Sequence, residues 1–258
     1  MTGGAAVPTL AAEARQVDLW LLRPPEVDSA AALDQSELDD AERHRAASFI
    51  RPADGLLYAS AHIALRRLLG AYLGTAPQDV PFVRQPCPGC GDPHGRPAVA
   101  ATDPPLHFSL SHSGGLALVG IAATTVGVDL EKLPGAETVE ICTEALHPDE
   151  RAELAAAPRE ARREMFGRLW TRKEAYLKGL GTGLSRSPSQ DYLGADIRRR
   201  PAGWFLADIP CGPRHAASFA LAGEVPTNTS VRRLSPDWLR TDDAEGLLAA
   251  LVRGENPA

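Results

Sequence analysis

Nowhere does this chain run for about 18 uncharged apolar residues, so no transmembrane helix is expected. Its opening stretch, MTGGAAVPTLAAEARQ, lacks both a positive start and a continuous apolar segment, which argues against a signal peptide. Cysteine is scarce, four in 258 residues, and without an export signal the expectation is a reduced, cytoplasmic protein. Basic residues are outnumbered, 27 against 33 acidic, for a net charge of −6. A general nucleic-acid binder is thereby excluded, although a local basic pocket is not. What is present is an ordinary globular composition, 44% hydrophobic and 23% charged, enough for a core of one large domain or two of roughly 130 residues.

Along the chain, VDLWLLR (17–23) reads as a strand, SELDDAERHRAASF (36–49) as a helix opened by Ser36, and 53–74 as a long helix ended by Gly74. A Pro/Gly-rich stretch holds short extended pieces, and two apolar segments, LHFSLSHSGGLALVGIA and TVGVDLEKL, read as neighbouring strands. A helix follows from about 147, then a long one over 159–181, strands in the last quarter, and a closing helix DAEGLLAALVR. Each half thus carries helices and strands in a similar order, an α+β arrangement.

Three segments carry chemistry. In GVDLEKL (127–133), Asp129 and Glu131 share one face of a strand about 7 Å apart, which disfavours joint ionisation unless a cation lies between them. Mg²⁺ suits such oxygens and commonly takes substrate phosphates as further ligands; a solvated strand end is the plain alternative. In LWTRKEAYLKGLGTGL (169–184), Trp170, Lys173, Glu174 and Lys178 fall on one broad helical face. Glu174 and Lys178 read either as a surface ion pair or as a further metal carboxylate beside a charge near the reacting group. The glycines there follow a helix and not a strand, so they are no dinucleotide loop. In FSLSHSGG (108–115), Ser111 and His112 end a strand before a turn able to hold phosphate oxygens. Adjacent residues cannot readily form a nucleophile–base pair, and no G-x-S-x-G elbow is present, so a serine hydrolase is disfavoured.

Together the segments SHS (111–113), GVDLE (127–131) and WTRKEAYLKGLGTGL (170–184), with HGRP (94–97) upstream, resemble the motif set of the 4′-phosphopantetheinyl transferases, in particular the surfactin-synthetase-activating type. The resemblance spans most of residues 36–184. It implies two similar α/β lobes forming a pseudo-dimer with the active site in the cleft between them, 1–125 contacting nucleotide and phosphate and 126–258 carrying the metal site and catalytic helix. It implies transfer of the 4′-phosphopantetheine arm of coenzyme A to a serine of acyl or peptidyl carrier proteins, releasing 3′,5′-ADP, by a protein able to work as a monomer. Polyketide, nonribosomal peptide or fatty acid synthases would be activated, with no nucleic acid or membrane partner.

Residue by residue, Asp129, Glu131 and Glu174 would hold Mg²⁺ or Mn²⁺. Glu174 or a metal-bound water would be the base, and Lys178 would stabilise or protonate the leaving group. Ser111 and His112 would bind coenzyme A phosphates, Gly95, Arg96 and Pro97 would line the nucleotide pocket, and Arg45 would reach the 3′-phosphate with Arg43 as neighbour. Lys173 joins the cofactor-binding set. The chain departs from the pattern where Leu56 and Leu57 replace an expected arginine after Asp54, leaving Tyr58 by stacking or Arg51 by reach as substitutes. Cys87, Cys90 and His94 form a small candidate zinc knuckle or a reduced turn, and His62 reads as packed rather than catalytic. A non-transferring binder of coenzyme A or carrier protein and a metal-dependent nucleotide phosphohydrolase are the rival readings.

Overall fold

The computed structural model describes residues 15–26, 33–93, 95–100, 102–103 and 105–240. Its elements are β1 (Gln16–Leu22), α1 (Asp40–Ala47), α2 (Pro52–Leu73), β2 (Phe82–Arg84), β3 (Pro97–Val99), β4 (His107–Ser113), β5 (Leu116–Ala122), β6 (Val126–Lys132), α3 (Ala136–Cys142), α4 (Pro148–Ala156), α5 (Arg159–Leu180), β7 (Trp204–Asp208), β8 (His215–Ala222) and β9 (Asn228–Leu234). They form a mixed α/β architecture of three sheets, ordered β4-β5-β1-β9, β2-β3 and β6-β8-β7. β1 pairs antiparallel with β5 and parallel with β9. The closing helix expected over 243–253 lies outside the described residues, and none of the described helices is long and apolar enough to cross a membrane.

Period-two alternation explains the layering. On β5, Ala117, Val119 and Ile121 face one core with Ile63, Leu68 and Leu69 of α2. Leu116 and Leu118 face the opposite core with Val126, Val128 and Leu130 of β6 and Phe219 of β8. The far side of the β6-β8-β7 sheet meets α5 through Ala175, Tyr176, Leu206 and Ala220. The result is four layers: α2, sheet, sheet, α5.

Two helix ends show how the sequence sets the boundaries. α1 begins at Asp40 and not at Ser36, because Asp39 and Glu42 form a reciprocal capping box, with bonds of 2.8 and 3.0 Å. Ser36 instead donates to the Asp34 carboxylate. α5 stops at Gly181, whose φ of 79° is open to glycine at little cost. The close approach of α5 to β6 depends on Gly127, where a Cβ would stand 2.0 Å from the Ala175 carbonyl oxygen. α5 thereby lays Glu174 and Lys178 beside the strand that bears Asp129 and Glu131.

Candidate active site

A cavity of about 950 Å³ opens between α2, the β2–β3 hairpin, β4, β6 and α5. Asp129, Glu131, Glu174, Lys178, Ser111, His112, Gly95, Arg96 and Pro97 all line it, so most residues singled out in the sequence converge on one cleft. Trp170 lines it too, while its ring stacks on Phe166 at 5.9 Å between centroids.

The centre is a charge cluster. Lys178 Nζ lies 2.7 Å from Asp129 Oδ1 and donates to Ser111 Oγ at 3.0 Å. Ser111 Oγ in turn donates to Asp129 Oδ1 at 2.9 Å. Burial pushes the Glu174 carboxyl above its ordinary value, and the neighbouring Asp129 charge adds to it. Burial also raises Glu131, partly offset by the hydrogen bond that Ser113 Oγ donates at 2.7 Å. Burial, then His62 and Lys178, hold His112 below the usual histidine range, so it is neutral at pH 7 and presents a single N–H.

β4 and β6 belong to different sheets, and three serines at alternate positions of β4 stitch them together. Ser109 Oγ accepts from the Val128 amide at 3.0 Å, Ser111 holds Asp129, and Ser113 holds Glu131 while accepting from the Lys132 amide at 3.2 Å. The SLSHS run is therefore a side-chain ladder whose rungs fix two carboxylates.

The donor set suits a hard divalent cation. Asp129, which lines the cleft with further carboxylates, is almost wholly buried, and its Oδ2 is an acceptor with no hydrogen-bond partner. Among the described residues, no three carboxylate, imidazole or thiol groups are gathered closely enough to hold an ion as they stand. The chemistry of the oxygens fits Mg²⁺; the closing of the set around it is left to the ion.

Two expected cofactor residues stand apart. Lys173 is 1% exposed, its ammonium 2.7 Å from Glu150 and donating to the Asp191 carbonyl at 2.8 Å, so it faces away from the cleft. Lys173 precedes Glu174 by one residue, a turn of about 100° around α5, which takes its side chain toward Glu150 of α4. Arg45 is exposed with its guanidinium 4.9 Å over the Phe49 ring, and does not line the cleft. Arg43 pairs with Asp40, and Arg51 is exposed at the start of α2.

The α2 wall carries Tyr58 and His62, which the sequence offered as a stacking substitute and as a packed residue, and it brings His62 to the cleft. His62 lines the cleft, bonded through Nδ1 to Glu42 at 2.9 Å and stacked on Tyr58 at 4.1 Å. Tyr58 also meets His112 edge-on at 5.8 Å. Glu42 is anchored by Arg66 at 2.7 Å. The four-residue spacing of Tyr58 and His62 was the available signal. On the other wall Arg96 ties the hairpin to α5, donating to Gln85 Oε1 at 2.6 Å and the Gly179 carbonyl at 3.0 Å.

The chain is similar in sequence to known proteins. Residues 125–222, from β6 through β8, match the family model described as the 4′-phosphopantetheinyl transferase superfamily. The chain is 31% identical to the 4′-phosphopantetheinyl transferase HetI of Nostoc sp. over 84% of its own length and 92% of that relative. It is 30% identical to the 4′-phosphopantetheinyl transferase Sfp of Bacillus subtilis over 36% of this chain and 40% of the relative. With the 4′-phosphopantetheinyl transferase AcpT of Escherichia coli O157:H7 it shares 40% identity over 34% of this chain and 45% of the relative.

Proposed function

The chain belongs to the 4′-phosphopantetheinyl transferase superfamily, and from that premise we propose how its residues move phosphopantetheine from coenzyme A to a carrier-protein serine. The observation that carries the reading is the Lys178–Ser111–Asp129 cluster, set in one cleft with Glu131 and Glu174.

The serine oxygen attacks the phosphorus that bears the pantetheine arm, and the bond to 3′,5′-ADP breaks. Glu174, whose raised pKa makes it the stronger base, takes the serine proton. Lys178 stabilises or protonates the departing phosphate oxygen. His112 and the Gly95–Arg96–Pro97 edge hold the coenzyme A phosphates and nucleotide. Asp129, Glu131 and Glu174 would hold Mg²⁺ or Mn²⁺, which when bound supplies charge neutralisation at the pyrophosphate. Ser111 holds Lys178 and Asp129 in addition to donating to a coenzyme A phosphate. Arg45 on the exposed rim is the remaining candidate for the 3′-phosphate, and Lys173 takes a structural role.

The α2-backed and α5-backed sheets support a division into two similar lobes after residue 125, with β9 returning to the first sheet. Acyl and peptidyl carrier domains of polyketide, nonribosomal peptide or fatty acid synthases are the partners. Apo-carrier protein incubated with coenzyme A and Mg²⁺ gains the mass of one phosphopantetheine. Free phosphopantetheine without carrier modification would overturn the reading in favour of hydrolysis, and full transfer by Asp129→Ala would remove the metal assignment.

A further inference from the structure

One end of the two main sheets is rimmed by positive charge. The register sets Leu22, at the close of β1, opposite Ala117 and Leu234, and it sets Lys132, at the close of β6, opposite His215. The end of β4 and its turn join these ends. Ser113 Oγ accepts from the Lys132 amide at 3.2 Å, and His215 Nε2 lies 3.1 Å from the Gly114 carbonyl oxygen. Arg23 follows β1, Arg233 stands one residue before the end of β9, and Arg214 precedes His215. The Leu133 amide donates to the Arg214 carbonyl at 2.9 Å, and Arg163 of α5 donates to the Leu133 and Pro134 carbonyls at 3.0 and 2.7 Å. Arg23, Lys132, Arg163, Arg214 and Arg233 are all exposed.

Their lack of partners is the informative feature. Among the described residues none of these five cations forms an ion pair, although the chain carries a net charge of −6. The acids that border the rim are already engaged, Asp208 with Arg172 at 2.6 Å and Glu164 with Arg168 at 4.0 Å. A concentration of one sign, set against the charge of the whole chain, marks a surface that attracts a negative partner. Between Leu133 and His215 the surface also dips into a cavity of about 230 Å³, walled in part by Ile209, Pro210 and Ala216. A small apolar recess inside a charged border is the layout of a protein–protein contact.

We propose that this rim is the docking surface for the carrier protein, holding an acidic face beside the serine to be modified; the assignment rests on the transferase reading above. Lys132 directly follows Glu131, and Ser113 bonds both of them, so a protein seated on the rim abuts the carboxylate cluster. None of the rim residues lines the cleft, which extends from Glu131 and Glu174 to the β2–β3 hairpin. The rim side is thereby left to the second substrate. An acidic carrier approaching any other face meets a chain of its own charge sign. The rim offers it an attractive path and a fixed orientation, an effect that acts mainly on association and is screened by salt.

Lys132→Glu and Arg214→Glu, alone and together, test this with an apo-carrier domain of net negative charge as the probe. In the double variant the KM for the carrier is expected to rise about tenfold, while kcat and the KM for coenzyme A stay within about twofold. The fall of wild-type kcat/KM with added salt flattens in the same variant. An unchanged KM for the carrier, or an equal rise in the KM for coenzyme A, overturns the proposal. Calorimetric binding of the same carrier at low salt separates docking from chemistry. If the wild-type chain transfers nothing, the transferase reading falls, and the rim then stands only if the double variant binds the carrier more weakly than wild type does. Duplex DNA held as tightly as the carrier, and released by the same reversals, makes the rim a general polyanion surface and overturns the assignment.

Discussion

The Lys178 ammonium lies 2.7 Å from Asp129 Oδ1, so the carboxylate most deeply buried in the cleft is neutralised by a side chain one turn beyond Glu174. Lys178→Ala removes that partner and, on the proposed mechanism, the charge that meets the leaving phosphate. A fall in kcat of about 10²-fold or more is expected, with Lys178→Arg recovering part of it. Single-turnover transfer followed by intact-protein mass measures the loss.

Glu174 is held above the ordinary carboxylate range by burial and by Asp129. On the proposed mechanism it is the base, so the rate climbs with pH as its carboxyl ionises, and Glu174→Gln removes the climb together with about 10²–10⁴-fold of rate. A pH–rate profile unchanged in shape in Glu174→Gln would assign the base elsewhere.

The same two raised groups, Glu131 and Glu174, set a stability trend in the metal-free protein. Their folded pKa values exceed the unfolded ones, so the folded state holds more protons in the intervening window. Stability therefore declines as pH rises from the ordinary carboxylate value through the raised one. Glu174→Gln relieves the repulsion, and for each ~1 kcal/mol relieved the neutral-pH melting temperature rises by about 2–4 °C. Calorimetry in chelator at two pH values reads this directly: the gain is present at neutral pH and shrinks in acid.

Ser113 touches the reaction only through Glu131. Ser113→Ala removes a hydrogen bond that favours the ionised carboxylate, so Glu131 titrates higher still. The expected signature is a several-fold higher Mg²⁺ requirement at neutral pH that recedes at higher pH, with kcat at saturating Mg²⁺ little changed, since one neutral hydrogen bond contributes about 0.5–1.5 kcal/mol. A uniform loss of kcat at every Mg²⁺ concentration would make Ser113 merely structural.

Lys173 and Glu150 form an almost completely buried pair. Glu150→Ala strands the ammonium and also frees the Leu193 and His147 amides, a loss of about 3–5 kcal/mol. Replacing both together, Glu150→Leu with Lys173→Met, costs far less. Denaturant midpoints of the single and double variants separate the two outcomes.

What the sequence disclosed was whatever depends on local spacing. The i, i+2 step puts Asp129 and Glu131 on one strand, the i, i+4 step stacks Glu174 and Lys178, and glycine after a helical run ends α2 and α5. Lys173 was misplaced because it stands about 100° around the helix from Glu174, at the edge of a broad face, and only packing against Glu150 decides where the side chain goes. The Glu42–His62 wall was hidden because its partners are twenty residues apart and come from two helices. The start of α1 was hidden by competition between neighbouring caps, Ser36 and Asp39, which the Glu42 reciprocal bond decides. The serine ladder was visible as residues but not as rungs, since its partners lie on a strand of another sheet.

The parallel pairing of β1 with β9 has a consequence for how the chain comes into being. β1 is made about two hundred residues before β9, and Asp18 within it accepts hydrogen bonds from Tyr72, Ser230 and Arg232. Until residue 234 has left the ribosome, β1 has an open edge and Asp18 lacks two of its four side-chain partners, Gln16 being the fourth. A fragment ending after β5 therefore carries an unprotected strand and a buried acid without its cation. β1 and β9 are each other's chaperones, and the first sheet is closed only when β9 arrives.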